Sequence, residues 1–87
     1  MPYAIIVYDV QADRTSKFLK YLRRFLTHAQ YSVFEGQLTE GRLEEVESTL
    51  QSMLEPGESV ICYRMSAEEY VDRSVFGEDP MDDSKFL

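Results

Sequence analysis

The sequence has very few of the residues that build disulfide frameworks or metal clusters. Its 87 residues include one cysteine, one histidine, no tryptophan, four glycines and three prolines. The single cysteine, Cys62, excludes an intramolecular disulfide, and one Cys with one His does not make a zinc site. Because Cys62 lies in the apolar run 60–63, we interpret it as a small buried hydrophobic residue, which fits a reducing compartment.

Long apolar segments are also missing. The N-terminal run from Tyr3 to Tyr8 is too short to cross a bilayer, and nothing resembles a secretory signal. We therefore predict a cytoplasmic protein with no membrane partner. The hydrophobic fraction of 44% and aromatic fraction of 13% predict one small folded domain, whose modest core would gain stability from a partner subunit.

Basic residues are scarce and unevenly distributed. The net charge of −7 taken alone argues against nucleic-acid binding. However, residues 1–34 contain five Lys and Arg against two acids, whereas residues 35–87 contain four against fourteen. This asymmetry predicts one basic face on an acidic body.

Periodicity in the first half of the chain predicts a strand, a helix and further strand structure. The β-branched run 3–8 predicts a central strand covered on both faces. Residues 14–27 carry an apolar stripe of helical spacing. The segment 28–38 is strand-like in composition and fits either one long strand or a hairpin that turns at Tyr31-Ser32.

The second half predicts a helix capped by Thr39, a strand from Ser59 to Met65, a turn or short helix at 66–70 and a last edge strand at 71–76. The whole is an α/β (α+β) order, β-α-β(β)-α-β, with two helices on one face of a sheet. If the middle segment is a hairpin, the topology is ferredoxin-like βαββαβ with an extra C-terminal edge strand. We expect residues 1–76 to form this domain and 77–87 an acidic tail.

Asp9 is the strongest candidate for chemistry, because it places a carboxylate directly after a buried strand. A strand-end turn residue or helix cap is an equally good interpretation. A hard cation such as Mg²⁺ takes one or two carboxylates completed by water and substrate phosphate. One Asp per chain supplies few ligands for a metal ion, but two copies across a two-fold axis would supply two carboxylates. Asp13 is interpreted as a cap of the first helix.

A basic surface is predicted on the first helix. Lys17, Lys20 and Arg24 are spaced i, i+3, i+7, opposite the apolar stripe. Charges on a helix usually mark a solvated face. Here no acid occurs between Asp13 and Glu35, which favours sequence-independent contacts with a phosphate backbone.

The remaining polar and aromatic candidates carry weaker signals. His28 is interpreted as a surface or phosphate-contacting histidine rather than a general base. We interpret Tyr8, Tyr31 and Phe34 as core or interface aromatics rather than platforms for stacked bases. With neither a Gly-rich phosphate loop nor a serine-nucleophile motif, the residues alone make a weak case for an enzyme.

The chain as a whole resembles the second CRISPR-associated protein family (Cas-two, or Cas2). The resemblance rests on Val7-Tyr8-Asp9-Val10, Gln30-Tyr31-Ser32-Val33-Phe34-Glu35-Gly36, Pro56-Gly57-Glu58 and Tyr63-Arg64-Met65. It implies a ferredoxin-like fold with the middle segment as a hairpin. It also implies a homodimer in which the C-terminal strand of each subunit lies against the sheet of the other.

The resemblance further implies partners and an activity. In this family the dimer bridges dimers of the CRISPR integrase subunit (Cas-one) with duplex DNA lying across it, and many members are metal-dependent nucleases acting on RNA or DNA. It implies Asp9 as catalytic residue and ligand of Mg²⁺, or of Mn²⁺, with Tyr8, Arg14 and Lys17 among the site residues. Some relatives carry Arg where His28 stands. The predicted nucleic-acid-binding residues are Arg14, Lys17, Lys20, Arg24 and His28.

Two main function classes remain open at this point. A binding scaffold requires the basic face and can do without Asp9, whereas a phosphodiesterase requires Asp9. A third class, a stand-alone ferredoxin-like regulatory or interaction domain without nuclease activity, would have no basic face.

Overall fold

The fold is a four-stranded antiparallel sheet with two helices packed on one face. The structure is a computed structural model that describes residues 1–81. Its elements are β1 (Tyr3–Asp9), α1 (Thr15–Leu22), β2 (Thr27–Gln30), β3 (Val33–Gln37), α2 (Glu40–Met53) and β4 (Ser59–Met65). The strand order is β2-β3-β1-β4. This is the predicted ferredoxin-like βαββαβ arrangement.

The core lies between the helices and one face of the sheet. Alternate residues of β1 point into it, because successive side chains of a strand face opposite sides. Ala4 and Ile6 are fully buried there, and Tyr8 is nearly so. They pack with Phe34 of β3, two residues of α1 and three of α2: Phe18, Leu22, Leu43, Val46 and Leu50.

Within residues 1–81, the other face of the sheet carries no helix. Antiparallel pairing of β1 with β4 sets Ile5 opposite Tyr63 and Val7 opposite Ile61. Ile61 and Tyr63 are about half exposed, and Ile5 and Val7 are partly buried. The prediction that β1 is covered on both faces is therefore wrong for the single chain. We call this surface of β1, β3 and β4 the open face.

Several local predictions are confirmed. Segment 28–38 is a hairpin, since β2 pairs antiparallel with β3 across the two-residue turn Tyr31-Ser32. The Thr39 hydroxyl accepts the backbone N–H of Arg42 at 3.1 Å and caps α2. β4 has the predicted bounds, and a short 3₁₀ helix follows at Glu68–Tyr70.

The first helix is shorter than predicted. α1 ends at Leu22 instead of Thr27, and the N–H groups of Arg24 and Phe25 bond to carbonyls three residues back, of Tyr21 and Leu22. Such tighter bonds are common in a last turn. The chain must leave the helix here because β2 begins at Thr27.

Asp13 does not cap α1, contrary to the prediction. It lies inside a 3₁₀ turn, Ala12–Arg14, that precedes the helix and has no side-chain cap. The residue at the N-cap position of α1 is Arg14, also without a capping side chain. The 3₁₀ turn moves the helix start one residue beyond the position that Asp13 could cap.

The C-terminal segment forms no strand in the chain. Residues 71–76 are irregular, and residues 73–80 run beside β2 and β3, where a cleft of about 400 Å³ separates them from Ala29, Gln30, Val33 and Glu35. The predicted edge strand is therefore absent from residues 1–81 of the protomer, because the ion pair of Arg73 with Glu35 holds this segment against the face of the inner strand β3 instead of along a sheet edge. Residues 82–87 of the predicted tail lie outside the described part of the chain. In residues 1–81, no helix has both the length and the apolar character to span a membrane.

Candidate metal and nucleic-acid site

Asp9 is the last residue of β1, and its side chain is exposed. It pairs with Ser59 at the start of β4. On the other side, the N–H of Tyr8 donates to the carbonyl oxygen of Ser32 in the β2–β3 turn at 3.1 Å. Asp9 thus lies at one end of the sheet, between the hairpin turn and the beginning of β4.

The chemistry of this carboxylate fits a hard cation, but one chain supplies too few ligands. Among residues 1–81, no three His, Cys, Asp or Glu side chains lie close enough together to hold a metal ion. Mg²⁺ is commonly bound by one or two carboxylates, with waters and substrate phosphate completing six positions. Asp9 would therefore hold Mg²⁺ only together with a second copy or a phosphate oxygen.

Arg14 is engaged within the protein. Its Nε donates to Glu58 Oε2 at 2.7 Å, and its Nη2 donates to both Glu58 Oε1 and the Met53 carbonyl oxygen. Glu58 also accepts the N–H groups of Gln11 and Glu55. The hydrogen bond from Arg14 is the main reason that the pKa of Glu58 is lowered to about 2. Arg14 therefore fixes the segment that follows Asp9, and its contact with phosphate stays a prediction.

The other predicted basic residues lie on an exposed surface. Lys17 and Lys20 are exposed on α1. Arg24 lies in the turn after the helix, with its guanidinium 5.2 Å from the centroid of the Phe25 ring. Arg42 of α2 approaches the same ring at 5.3 Å. The structure thus adds Arg42 to this surface, which we call the basic surface: Lys17, Lys20, Arg24 and Arg42.

His28 is partly buried and points into the hairpin. Its Nε2 is 2.5 Å from the carbonyl oxygen of Tyr31, and its ring meets the Phe34 ring edge-on at 4.7 Å. These contacts give His28 a role in holding the turn. Its predicted phosphate contact is not part of this geometry and stays a prediction.

Three features were missed from the sequence. Tyr31 is 82% exposed, so it is not a core aromatic, and its interpretation as an interface aromatic stays a prediction; Tyr8 and Phe34 are buried as expected. Arg42 joins the basic surface from an acidic helix. Glu58 pairs with Arg14 across 44 residues of sequence. In the sequence, Glu58 is marked only as part of Pro56-Gly57-Glu58, one of the segments that resemble the Cas2 family. That resemblance does not indicate an ion pair with Arg14.

A second ionic cluster lies on the open face. Glu35 is 7% exposed; it accepts the Tyr3 hydroxyl at 3.0 Å and lies 3.1 Å from Nε of Arg73. Arg73 also binds Asp79. Burial, followed by the bond to Glu35, raises the pKa of Tyr3 to about 12. This cluster connects the C-terminal segment to β3, away from Asp9.

The sheet order, the two helices and the strand-end aspartate define a ferredoxin-like α/β protein. The family model described as CRISPR associated protein Cas2 matches residues 1–76. A relative from Haloferax volcanii, named CRISPR-associated endoribonuclease Cas2, is 40% identical over 82 residues, or 94% of this chain and 95% of the relative. One of the same name from Nanoarchaeum equitans is 38% identical over 78 residues, or 88% and 86%.

A solved structure agrees with these relatives. It is described as the crystal structure of cas2, and it matches with a TM-score of 0.81 and 36% identity over 90% of this chain and 88% of that one. The chain belongs to the Cas2 family.

Proposed function

We propose that the protein is a dimeric CRISPR adaptation subunit that binds duplex DNA and bridges the integrase subunits during spacer acquisition. In this proposal, cleavage of RNA or DNA at Asp9 is a second, Mg²⁺-dependent activity. The alternative of a stand-alone regulatory domain is disfavoured, because it does not explain why an otherwise acidic protein concentrates cations on one surface.

The basic surface is the observation that carries the proposal. Lys17, Lys20 and Arg24 are exposed, and no acid lies in the sequence between Asp13 and Glu35. Arg42 extends the surface from α2, although it also pairs with Glu45 at 3.5 Å. Contacts of Lys and Arg with the phosphate backbone are independent of base sequence, as a duplex-holding subunit requires.

The open face supports a homodimer. Ile61 and Tyr63 expose apolar surface beside partly buried Ile5 and Val7. Contiguous exposed apolar surface commonly marks an interaction site, and a two-fold dimer would bury the same patch on both subunits. A second copy would also supply a second Asp9 carboxylate, and Mg²⁺ commonly takes one or two carboxylates.

The hydrolytic activity is supported by the names of the relatives and by the position of Asp9. Those relatives are called endoribonucleases. Mg²⁺ at Asp9 would supply charge stabilisation to a phosphate and a more acidic water. The chain's own contribution is to hold an exposed carboxylate at a strand end, with the following segment fixed by Arg14 and Glu58.

The test compares wild type with Asp9→Asn on RNA and on duplex DNA, with Mg²⁺, with Mn²⁺ and with EDTA. Asp9→Asn keeps the shape and removes the charge. We expect cleavage to need the metal and to be lost in the variant, while duplex binding survives because the basic surface is unchanged. Binding of integrase subunits, measured by co-sedimentation, should also survive.

The outcomes separate the two activities. Cleavage by Asp9→Asn at the wild-type rate would remove Asp9 from catalysis and leave the scaffold alone. Failure of wild type to bind duplex DNA would contradict the scaffold, whatever the cleavage result.

A further inference from the structure

Tyr31 is held in an unusual conformation at the tip of the β2–β3 hairpin. Its φ is +46°, a region that bulky residues rarely enter. The turn is fixed on both sides: His28 Nε2 contacts the Tyr31 carbonyl oxygen at 2.5 Å, and the Ser32 carbonyl accepts the N–H of Tyr8 at 3.1 Å. An exposed aromatic ring is thus placed on a well-anchored backbone at a cost in conformational energy, which is a pattern of functional sites.

The ring borders a depression of about 340 Å³. Side chains of α1, β1 and the turn line it, namely Tyr8, Thr15, Ser16, Leu19, Tyr31 and Ser32. The lining combines aromatic and aliphatic carbon with hydroxyl groups and contains no acid. Tyr8, in its wall, immediately precedes Asp9 in β1.

Positive charge lies close to this depression. Burial raises the pKa of the Tyr8 phenol, and both the Ser32 hydroxyl and the charge of Arg23 act in the opposite direction. The positive charge of Arg23 therefore acts on Tyr8, which forms part of the wall of the depression. Lys17 follows Ser16 directly along α1 and is exposed. A ligand that combines a flat apolar group with a negative charge fits a depression lined by aromatic and aliphatic carbon with cations beside it.

We propose that Tyr31 and this depression bind one unpaired nucleobase, stacked on the Tyr31 ring, of a nucleic acid whose phosphates are held by the neighbouring cations. The hydroxyl rim offers hydrogen bonds to the edge of the base. Bases inside a duplex are covered by their neighbours, so the site takes a single strand, a splayed end or a bulge. The inference rests on the proposed nucleic-acid binding and adds to it a preference for unpaired nucleotides near Asp9.

The experiment uses short single strands of RNA and of DNA carrying 2-aminopurine, and a duplex of the same length, all in EDTA so that no cleavage occurs. Tyr31→Phe keeps the ring. Tyr31→Asn removes it and tolerates positive φ, so it adds no backbone strain. Tyr70→Asn is the matched control, because Tyr70 is 68% exposed and follows β4 at the other end of the sheet.

We expect wild type, Tyr31→Phe and Tyr70→Asn to quench 2-aminopurine fluorescence and to bind single strands alike. Tyr31→Asn should lose the quenching and roughly tenfold in single-strand affinity, a typical loss for one stacked base. Its duplex affinity should be unchanged, and its melting temperature should be no lower than that of wild type, because Asn adopts positive φ more readily than Tyr. Comparison of the RNA and DNA arms shows whether the sugar contributes.

Other outcomes overturn the inference in distinguishable ways. Unchanged quenching and affinity in Tyr31→Asn would remove the stacking site and leave the proposed function intact. Equal losses on duplex and single strand would also overturn it, since stacking of an unpaired base does not affect a duplex. A changed sedimentation coefficient with unchanged nucleic-acid binding would assign Tyr31 to a protein contact. If wild type bound neither probe, the inference and the proposed duplex binding would fall together.

Discussion

Arg14 and Glu58 form the most connected ion pair of the described residues. The Arg14 Nε–Glu58 Oε2 distance is 2.7 Å, and a second Arg14 nitrogen reaches Glu58 Oε1 at 3.0 Å. The Glu58 side chain is only 2% exposed. The pair joins the segment after Asp9 to the loop between α2 and β4, so the end of β1 is held from outside the sheet.

The first prediction concerns the pH dependence of this pair. The pKa of Glu58 falls from an ordinary value of 4.5 to about 2 in the folded protein. Because the pKa of Glu58 is lower in the folded than in the unfolded protein, the ionised carboxylate stabilises the fold fully at pH values above the unfolded-state pKa of about 4.5. This stabilisation is lost as the pH falls from about 4.5 towards 2. Glu58→Gln should lower the melting temperature at pH 7 and flatten its dependence on pH between these values. Glu44→Gln, which removes one exposed charge, is the control. Melting temperatures are measured by circular dichroism. If Glu58→Gln lost stability between pH 4.5 and 2 as steeply as wild type, the prediction would be wrong.

The second prediction concerns the basic surface. Replacing Lys17, Lys20 and Arg24 by Ala should weaken duplex binding without unfolding the protein, because all three are exposed. If they contact phosphates, the slope of log K against log salt should become shallower by about 0.9 per lost contact, twice that in a dimer. Arg64→Ala, which removes an exposed cation of β4, should leave the slope as in wild type. An unchanged slope in the triple variant would reassign these residues to solvent.

The third prediction concerns dimerisation. Deleting residues 71–87 should give a monomer or an unfolded chain, because a short chain gains stability from a shared edge and the segment carries Val71, Val75 and Phe76. Phe76 is 95% exposed in the protomer, so nothing in residues 1–81 covers it. Sedimentation velocity measures the result. A truncated protein that sediments as a stable dimer would rule the segment out as the interface.

A fourth prediction concerns Cys62. Burial, with a smaller effect of Glu47, raises the pKa of its thiol from 9.0 to about 12. The thiolate fraction at pH 8 should therefore be about a thousandfold lower than for an ordinary cysteine, and alkylation by iodoacetamide correspondingly slower. The unfolded protein in guanidinium provides the reference rate. Equal rates in the folded and unfolded states would show that the thiol is accessible and unperturbed.

Much of the fold could be predicted because local signals agree with it. The bounds of β4 follow from an apolar run, and the Thr39 cap from a residue type that prefers this position. α1 was predicted five residues too long, since residues 23–27 are compatible with a helix. What ends α1 is the pairing of β2 with β3, a contact that periodicity does not contain.

The candidate site was less predictable. Asp9 can be recognised in the sequence because it lies at the end of a strand. The cations of α1 can be recognised because they lie on one face of a helix. The exposure of Tyr31 could not be predicted, because it depends on the two-residue turn between β2 and β3. Arg42 reaches Phe25 only through the packing of α2 beside the end of α1, which no local pattern predicts.

Glu35 makes the open face selective. It is a nearly buried carboxylate on a surface whose other members are largely apolar, and Arg73 neutralises it from the C-terminal segment. Leaving such a charge covered and unpaired costs roughly 3–5 kcal/mol, which counts against any apolar contacts made around it. A surface that packs over β3 must therefore either leave Arg73 in place or bring a cation of its own. Purely apolar surfaces of matching shape are rejected, so one ion pair discriminates among binding partners that hydrophobic contact alone could not distinguish.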